Sequence, residues 1–316
     1  MKKQKILIII GPTASGKSAL AVEIARQLNG EIISADSRQV YRGLTIGTGK
    51  IGKREMKGIA HHLIDVASPG KIFTADDFVK RARDAIDDIA GRGKLPIVVG
   101  GTGFYIDALL DRIKLPNVPP NTALREKLQA KTPIQLYALL KKRDPARARA
   151  MASKSERNNK VRLIRALEIA FNATANTENR PLYTEVGSLY DMLWVGLNLP
   201  QRELEGRIHT RLVARIKSGM IAEGKRLHAG GLSYKRMENL GLEYRSIARL
   251  LQKKISRAQF EGELFRDIRR YAKKQIMYWK RNTDIRWFDP KEKRKVETAV
   301  RIWLAKSSLP VHRISR

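Results

Sequence analysis

Strand-like and helix-like segments alternate along the N-terminal third of this chain, which predicts an α/β fold: a parallel sheet flanked by helices, with a helical insertion and a helical C-terminal region. Three observations carry this. Apolar, β-branched runs end on glycine or on a polar residue in "KILIII" (5–10), "EIISAD" (31–36) and "LPIVVGG" (95–101). The segments between them repeat apolar residues at helical spacing. Beyond Pro116 the texture turns helical and basic, with only "LWVGLNL" (193–199) reading as a further strand.

The elements follow in order. "KILIII" is a short buried strand that runs into "IIIGPTASGKSAL" (8–20). In that stretch Gly11, Gly16, Lys17 and Ser18 fit the P-loop pattern G-x-x-x-x-G-K-[ST]. Leu20, Ile24 and Leu28 then mark one face of a helix, which Asn29-Gly30 ends. "EIISAD" is the second strand, with Asp36 at its carboxyl end. "TADD" (74–77) resembles a capping box ahead of Phe78, Val79, Ala82, Ile86 and Ile89 at helical spacing. "LPIVVGG" is the third strand. "LPNVPPN" (115–121) reads as a linker into a helical, Arg- and Lys-rich insertion, and "LWVGLNL" resumes the sheet. The expected division is a P-loop core at 1–115, an insertion at 116–184, and core completion with basic helices at 185–316. In the last of these, Phe265, Ile268, Ala272, Ile276 and Trp279 share a face. Functional residues of such a sheet gather at the carboxyl ends of its strands.

Composition narrows the partners. The net charge is +32 at pH 7 in 316 residues, a balance that attracts polyanions, nucleic acid first among them. There is no cysteine, which excludes disulfides, thiolate catalysis and cysteine-ligated metals. No apolar run approaches a membrane span, and Ile6–Ile10 is too short for a signal segment, so a cytoplasmic protein is expected. A monomer is the expected state, although no residue pattern fixes it.

The P-loop binds anionic oxygens through backbone N–H groups and a helix N-terminus, with Lys17 as a point charge and Ser18 offering a hydroxyl to Mg²⁺. The remainder of an NTPase is harder to find. The third strand ends in "VVGGTGFY", with no carboxylate for a metal and with Thr102 among Gly100, Gly101 and Gly103. Asp36 suits a general base, a metal ligand or a plain cap on the next element. The side chains of neighbouring His61 and His62 diverge, which speaks against a shared metal.

Taken together and in order, "GPTASGKSALA", "DSRQVYRGLTIGTGK", "HHLIDV" and "VVGGTGFYIDALL" resemble the signatures of the tRNA dimethylallyltransferase family of bacterial type. "VRLIRALEI" matches within the insertion, and "RELEGRIHTRL" and "KKQIMYWKR" match more loosely. The resemblance implies that the loop from Gly11 through Pro12, Thr13, Ala14, Ser15, Gly16 and Lys17 to Ser18 holds dimethylallyl diphosphate rather than a nucleotide. It also implies Mg²⁺ as cofactor, at Ser18. The prenyl group would pass to the exocyclic amine of the adenosine 3′ of the anticodon, in tRNAs reading codons that begin with U. Asp36 matches the family's base, and Lys17 and Thr102 would stabilise the leaving group. The anticodon stem-loop would be held by Asp36, Ser37, Arg38, Gln39, Thr102 and Arg125. Val161, Arg162, Leu163, Ile164 and Arg165, and the segment Gly241, Leu242, Glu243, Tyr244, Arg245 and Ser246, match further tRNA-contacting positions. There the chain reads "GLEYRS", with Glu243 where the family usually has glycine.

Three rival readings share parts of this pattern. An adenylate isopentenyltransferase would prenylate free AMP, ADP or ATP, but the long basic insertion favours a polymer. A small-molecule P-loop kinase fits the first loop and not "GGTGFY". A non-catalytic RNA-binding protein fits the charge and leaves Asp36 and the P-loop without a use.

Overall fold

The computed structural model describes residues 3–116, 118–172 and 189–306. The chain divides into two compact units, Met1–Asp111 with Val186–Arg316, and Arg112–Glu185.

The larger unit is built on six strands: β1 (Gln4–Ile10), β2 (Gly30–Ala35), β3 (His61–His62), β4 (Leu95–Gly100), β5 (Tyr190–Leu197) and β6 (Arg286–Phe288). Their order across the sheet is β3-β2-β4-β1-β5-β6, and every pairing is parallel. In register, Ile8 lies opposite Val98 of β4 on one side and Trp194 of β5 on the other. β1 is therefore central, and Ile6–Ile10 are wholly buried. Because side chains alternate along a strand, β1 feeds two cores. Ile6, Ile8 and Ile10 pack with Phe78, Ile86, Trp194 and Trp279, while Leu7 and Ile9 pack with Leu20, Ile24, Val300 and Trp303. Such burial on both faces explains why the strands read as continuous apolar runs rather than as alternating ones.

The helices obey local rules as well. Thr74 Oγ1 accepts from the Asp77 N–H at 3.1 Å and the Asp77 carboxylate accepts from the Thr74 N–H at 2.8 Å, a capping box opening the helix Ala75–Gly91. In the helix Arg257–Trp279, Ile268, Ala272 and Trp279 are buried and Phe265 and Ile276 are partly so. The short edge strands β3 and β6 were not legible: two or three residues are too few to show a period. A third core joins the helices that follow β5, through Leu204, Ile208, Leu212, Ile247, Phe260 and Leu264.

The smaller unit is helical. Leu128, Leu136, Leu140, Leu163, Ile164 and Leu167 form its core. Within that core Glu168 is fully buried. Arg125 grips its carboxylate with two nitrogens at 2.9 and 2.8 Å, Arg165 adds a third, and the Asn121 N–H donates at 2.6 Å. Burial would raise the carboxyl pKa, but the Arg125 hydrogen bond, the Asn121 N–H and Arg165 outweigh it and hold it near about 2.

A carboxylate depressed in this way contributes stability at pH values above its unfolded pKa, and that stability is lost as pH falls toward about 2. Breaking a buried pair by removing one partner costs about 3–5 kcal/mol. Arg125→Ala is therefore expected to destabilise this unit by that order at neutral pH, read by denaturant unfolding, with the deficit shrinking in acid. A stability unchanged at pH 7 would show that Glu168 does not need Arg125.

Candidate active site

Three loops meet where β1, β2 and β4 end. β1 stops at Ile10, and the helix Lys17–Gln27 begins after Gly16. Gly16 has φ 94°, a left-handed backbone that side chains disfavour, and so the turn needs glycine. That helix has no side-chain cap at its N-terminus, which leaves its first N–H groups for an anion. Lys17 Nζ donates to the Pro12 carbonyl at 3.1 Å, folding the ammonium back over the loop. Ser15 is buried, and its N–H donates to the Pro12 carbonyl at 3.2 Å, closing the loop's turn.

After β2, Asp36 Oδ1 accepts from the N–H groups of Arg38 (2.8 Å) and Gln39 (3.2 Å). The capping role foreseen for Asp36 is therefore present, yet it occupies one oxygen and leaves Oδ2 for chemistry. After β4, the Thr102 N–H donates to Ala35 O at 3.2 Å and Thr102 Oγ1 accepts from the Ser37 N–H at 3.1 Å. These bonds stitch the β2 and β4 ends together. Gly100 makes the approach feasible, since a Cβ there would lie 2.1 Å from Ala35 O.

A third connection comes from the far end of the chain. Gln275, on the helix Arg257–Trp279, is 6 % exposed. Its Oε1 accepts from the Thr13 N–H at 2.8 Å, and its Nε2 donates to Gly101 O at 3.0 Å.

Lys17, Ser18, Asp36, Arg211, Glu243 and Tyr271 are among the residues lining one cavity of about 340 Å³ in this unit. Burial lowers the Lys17 pKa to about 8, against the pull of the Asp36 carboxylate and with a further push from Arg211. Burial, and then Arg215, also lower Arg211, whose Nη2 donates to Gly49 O at 2.8 Å. Tyr271 is raised by burial and by the charge of Asp36, so it stays a neutral hydroxyl. The cavity thus holds the under-solvated cations Lys17 and Arg211 beside the carboxylates of Asp36 and Glu243, the latter already paired with Arg215, which is a setting for a polyphosphate anion.

The predicted acceptor-side residues separate. Ser37, Arg38, Gln39, Gly241, Leu242, Glu243 and Arg245 line the cavity. Tyr244 and Ser246 do not: both are buried. Tyr244 donates its hydroxyl to Glu223 at 2.7 Å, and Glu223 also accepts from the N–H groups of Thr45, Ile46 and Gly47 at 3.0, 2.7 and 2.9 Å. Tyr244 and Glu223 therefore anchor the loop at 45–47. Glu243, in the family's glycine position, meets Arg215 at 3.0 Å, and the same guanidinium donates to Gly47 O at 2.6 Å. In the smaller unit Leu163 and Ile164 are core residues, and Arg125 and Arg165 are engaged with Glu168. Val161 is 74 % exposed, and the exposed Arg162 pairs with Glu156. His61 bonds Ile59 O at 2.8 Å and His62 bonds Glu31 at 2.8 Å, each with its own partner. Sequence reading missed Arg211 and Gln275. Both lie in stretches already singled out, but helical spacing says which residues share a face and not what that face meets.

The chain is similar to known proteins over most of its length. A family model described as IPP transferase matches residues 39–282. A tRNA dimethylallyltransferase from Anoxybacillus flavithermus is 38 % identical over 288 residues, covering 90 % of each chain. A tRNA dimethylallyltransferase 2 from Treponema denticola is 40 % identical over 280 residues, covering 88 % of this chain and 92 % of that one. Among solved structures, the tRNA isopentenylpyrophosphate transferase of Bacillus halodurans superposes with a TM-score of 0.71 at 34 % identity, covering 96 % of this chain and 97 % of the other. A eukaryotic dimethylallyltransferase acting on tRNA gives 0.76 at 25 % identity, covering 95 % and 77 %.

The Lys17 environment carries a pH signature. The ammonium binds an anion only while protonated, so affinity falls as pH rises through about 8. Inorganic diphosphate binding to the wild type is expected to weaken by about tenfold between about pH 7 and pH 9 relative to Lys17→Arg, whose guanidinium stays charged. Calorimetric titration at each pH would show it; a constant ratio would place Lys17 outside the anion site.

Proposed function

The chain belongs to the IPP transferase family, as a prenyltransferase of the bacterial tRNA dimethylallyltransferase type, and we propose that it prenylates the exocyclic amine of the adenosine 3′ of the anticodon in tRNAs reading codons that begin with U. The observation that carries the reading is that Lys17 and Asp36 line one cavity. An anion cradle and a base then face the same enclosed space.

In this reading the diphosphate of dimethylallyl diphosphate lies against the P-loop. The loop N–H groups, the helix N-terminus, Lys17 and Arg211 receive the charge that builds on it as the carbon–oxygen bond breaks. Thr102 supports the leaving oxygen from the β4 side. The acceptor adenine leaves its stack and enters from the side of Ser37, Arg38 and Gln39. Its amine nitrogen forms the new bond to the terminal carbon of the prenyl group, diphosphate departs, and the amine proton goes to Asp36 Oδ2. Magnesium fits the residues present: this ion keeps most of its waters and takes one or two protein groups plus phosphate oxygens. The exposed Ser18 hydroxyl would supply the protein group, with diphosphate oxygens and water as the other ligands. When bound, Mg²⁺ would neutralise part of the diphosphate charge. The +32 charge supports a polymeric acceptor over free AMP.

Two measurements test this. Labelled dimethylallyl diphosphate with Mg²⁺ is expected to label tRNA, and neither AMP nor the protein alone; labelled AMP with unlabelled tRNA would sink the proposal. The dissociation constant for tRNA is expected to rise by on the order of 10³ between about 50 and 200 mM salt, because Lys and Arg release counterions from phosphates. An affinity flat in salt would contradict the RNA half of the reading.

A further inference from the structure

We propose that Gln275 is a positioning residue for prenyl transfer: its amide holds the P-loop and the Gly101–Thr102 loop at one spacing, so that both face the same leaving group. The inference rests on the reading that donor diphosphate lies in the P-loop.

The geometry supports this in three ways. First, the amide uses both of its ends, and uses them on different loops: Oε1 on the Thr13 N–H at 2.8 Å and Nε2 on Gly101 O at 3.0 Å. β1 and β4 are paired only as far as Ile10 and Gly100, so past that point the sheet ladder no longer sets the distance between the loops. Gln275 continues the link beyond the ladder. Second, the fit is close. A Cβ at Gly101 would lie 2.0 Å from Gln275 Nε2, so the absence of a side chain at Gly101 makes room for the amide. Third, Gln275 is 6 % exposed, in a unit where few polar side chains are so deeply placed. An unsatisfied buried amide is costly, so the two bonds are strongly favoured over any looser arrangement.

Neighbouring contacts assign the link its purpose. Thr13 is in the phosphate loop, and its N–H is donated to Gln275. Gln275 thereby sets the orientation of the peptide just before the N–H groups that follow in the loop. Gly101 precedes Thr102, whose hydroxyl is itself fixed by the Ser37 N–H at 3.1 Å. A shift of the Gly101 carbonyl would move Thr102, and with it the backbone beside Asp36. One side chain therefore governs the spacing of the donor cradle, the hydroxyl and the base. Tyr271, one turn earlier on the same helix, lines the cavity.

The test exploits what the amide does at each end. Gln275→Met keeps the approximate volume and removes both bonds. Gln275→Glu keeps the acceptor for Thr13 N–H and loses the donor to Gly101 O when ionised; when protonated, its carboxylic acid restores donor and acceptor together. Burial favours that protonated form at mildly acid pH. Steady-state transfer would be measured for wild type, both variants and Lys17→Ala, varying donor and tRNA separately from about pH 5 to 9, with a thermal melt of each protein.

At neutral pH both Gln275 variants are expected to lose on the order of 10²-fold in kcat/KM for dimethylallyl diphosphate, the scale of a misplaced reacting group. KM for tRNA should stay within about twofold of wild type. The ratio of Gln275→Glu to wild type should climb toward unity as pH falls, while that of Gln275→Met stays level. Lys17, Asp36, Arg38, His61, Arg211, Glu243, Arg245 and Tyr271 line the cavity in all these proteins, and the Gln275→Met ratio, which adds no charge, controls for their contribution to the pH profile. Wild-type donor kinetics in Gln275→Met would overturn the proposal, as would a Gln275→Glu ratio level with pH. Loss of donor and tRNA kinetics together with a collapsed melting transition would also overturn it, by making Gln275 a structural residue alone. If Lys17→Ala leaves donor kinetics untouched, the donor-in-P-loop reading fails instead, and the two failures are distinguishable.

Discussion

The chemistry of this molecule depends on three parallel strand ends being held at hydrogen-bonding distance. The order β3-β2-β4-β1-β5-β6 makes β4 the neighbour of both β1 and β2. The phosphate loop, the Thr102 loop and Asp36 therefore emerge side by side although they are far apart in sequence. Backbone bonds from Thr102 and Ser37 close the β2–β4 gap, and the Gln275 amide closes the β1–β4 gap. Preorganised donors and a fixed base are worth more to a transition state than the same groups on mobile loops, because no reorganisation is required as charge develops.

Electrostatics adds a second layer to this arrangement. Lys17 and Arg211 are both held below their ordinary pKa values, chiefly by burial. Cations in that condition are poorly compensated, and in the proposed reading the donor diphosphate relieves them. Asp36 offsets part of that imbalance while remaining within reach of the same cavity. Elsewhere the charges are spent on structure. Glu31 draws in Arg92, Lys94 and His62, and Glu168 draws in Arg125 and Arg165. A high count of basic residues is therefore not the same as a large basic surface, since several arginines neutralise buried carboxylates.

What was legible in the sequence follows from the range of the interactions involved. The P-loop, the Thr74 capping box and the central strands are local patterns, and they could be read directly. Asp36 and Thr102 could be placed because residues at strand ends gather on one edge of a parallel sheet. Gln275 could not: its partner Thr13 lies 262 residues away, and no local signal marks a glutamine on a helix as a clamp. Arg211 was hidden for the same reason. That Tyr244 and Arg125 pair with buried carboxylates was not legible, because an aromatic or a guanidinium in a matched motif looks the same whether it faces solvent or a buried carboxylate. Glu243 stands where glycine is usual, and the structure accounts for it by supplying Arg215 as its counter-charge.

The central claim is that the sheet holds Asp36 as a base opposite a diphosphate cradle. The most direct measurement is single-turnover prenyl transfer by Asp36→Asn at ordinary and at raised Mg²⁺. The amide keeps the shape and the cap to Arg38 and Gln39, but it cannot take a proton. The rate is expected to fall by about 10²–10⁴ and to stay low at high Mg²⁺, with donor binding intact. Recovery of the wild-type rate at high Mg²⁺ would contradict the account and make Asp36 a metal ligand instead.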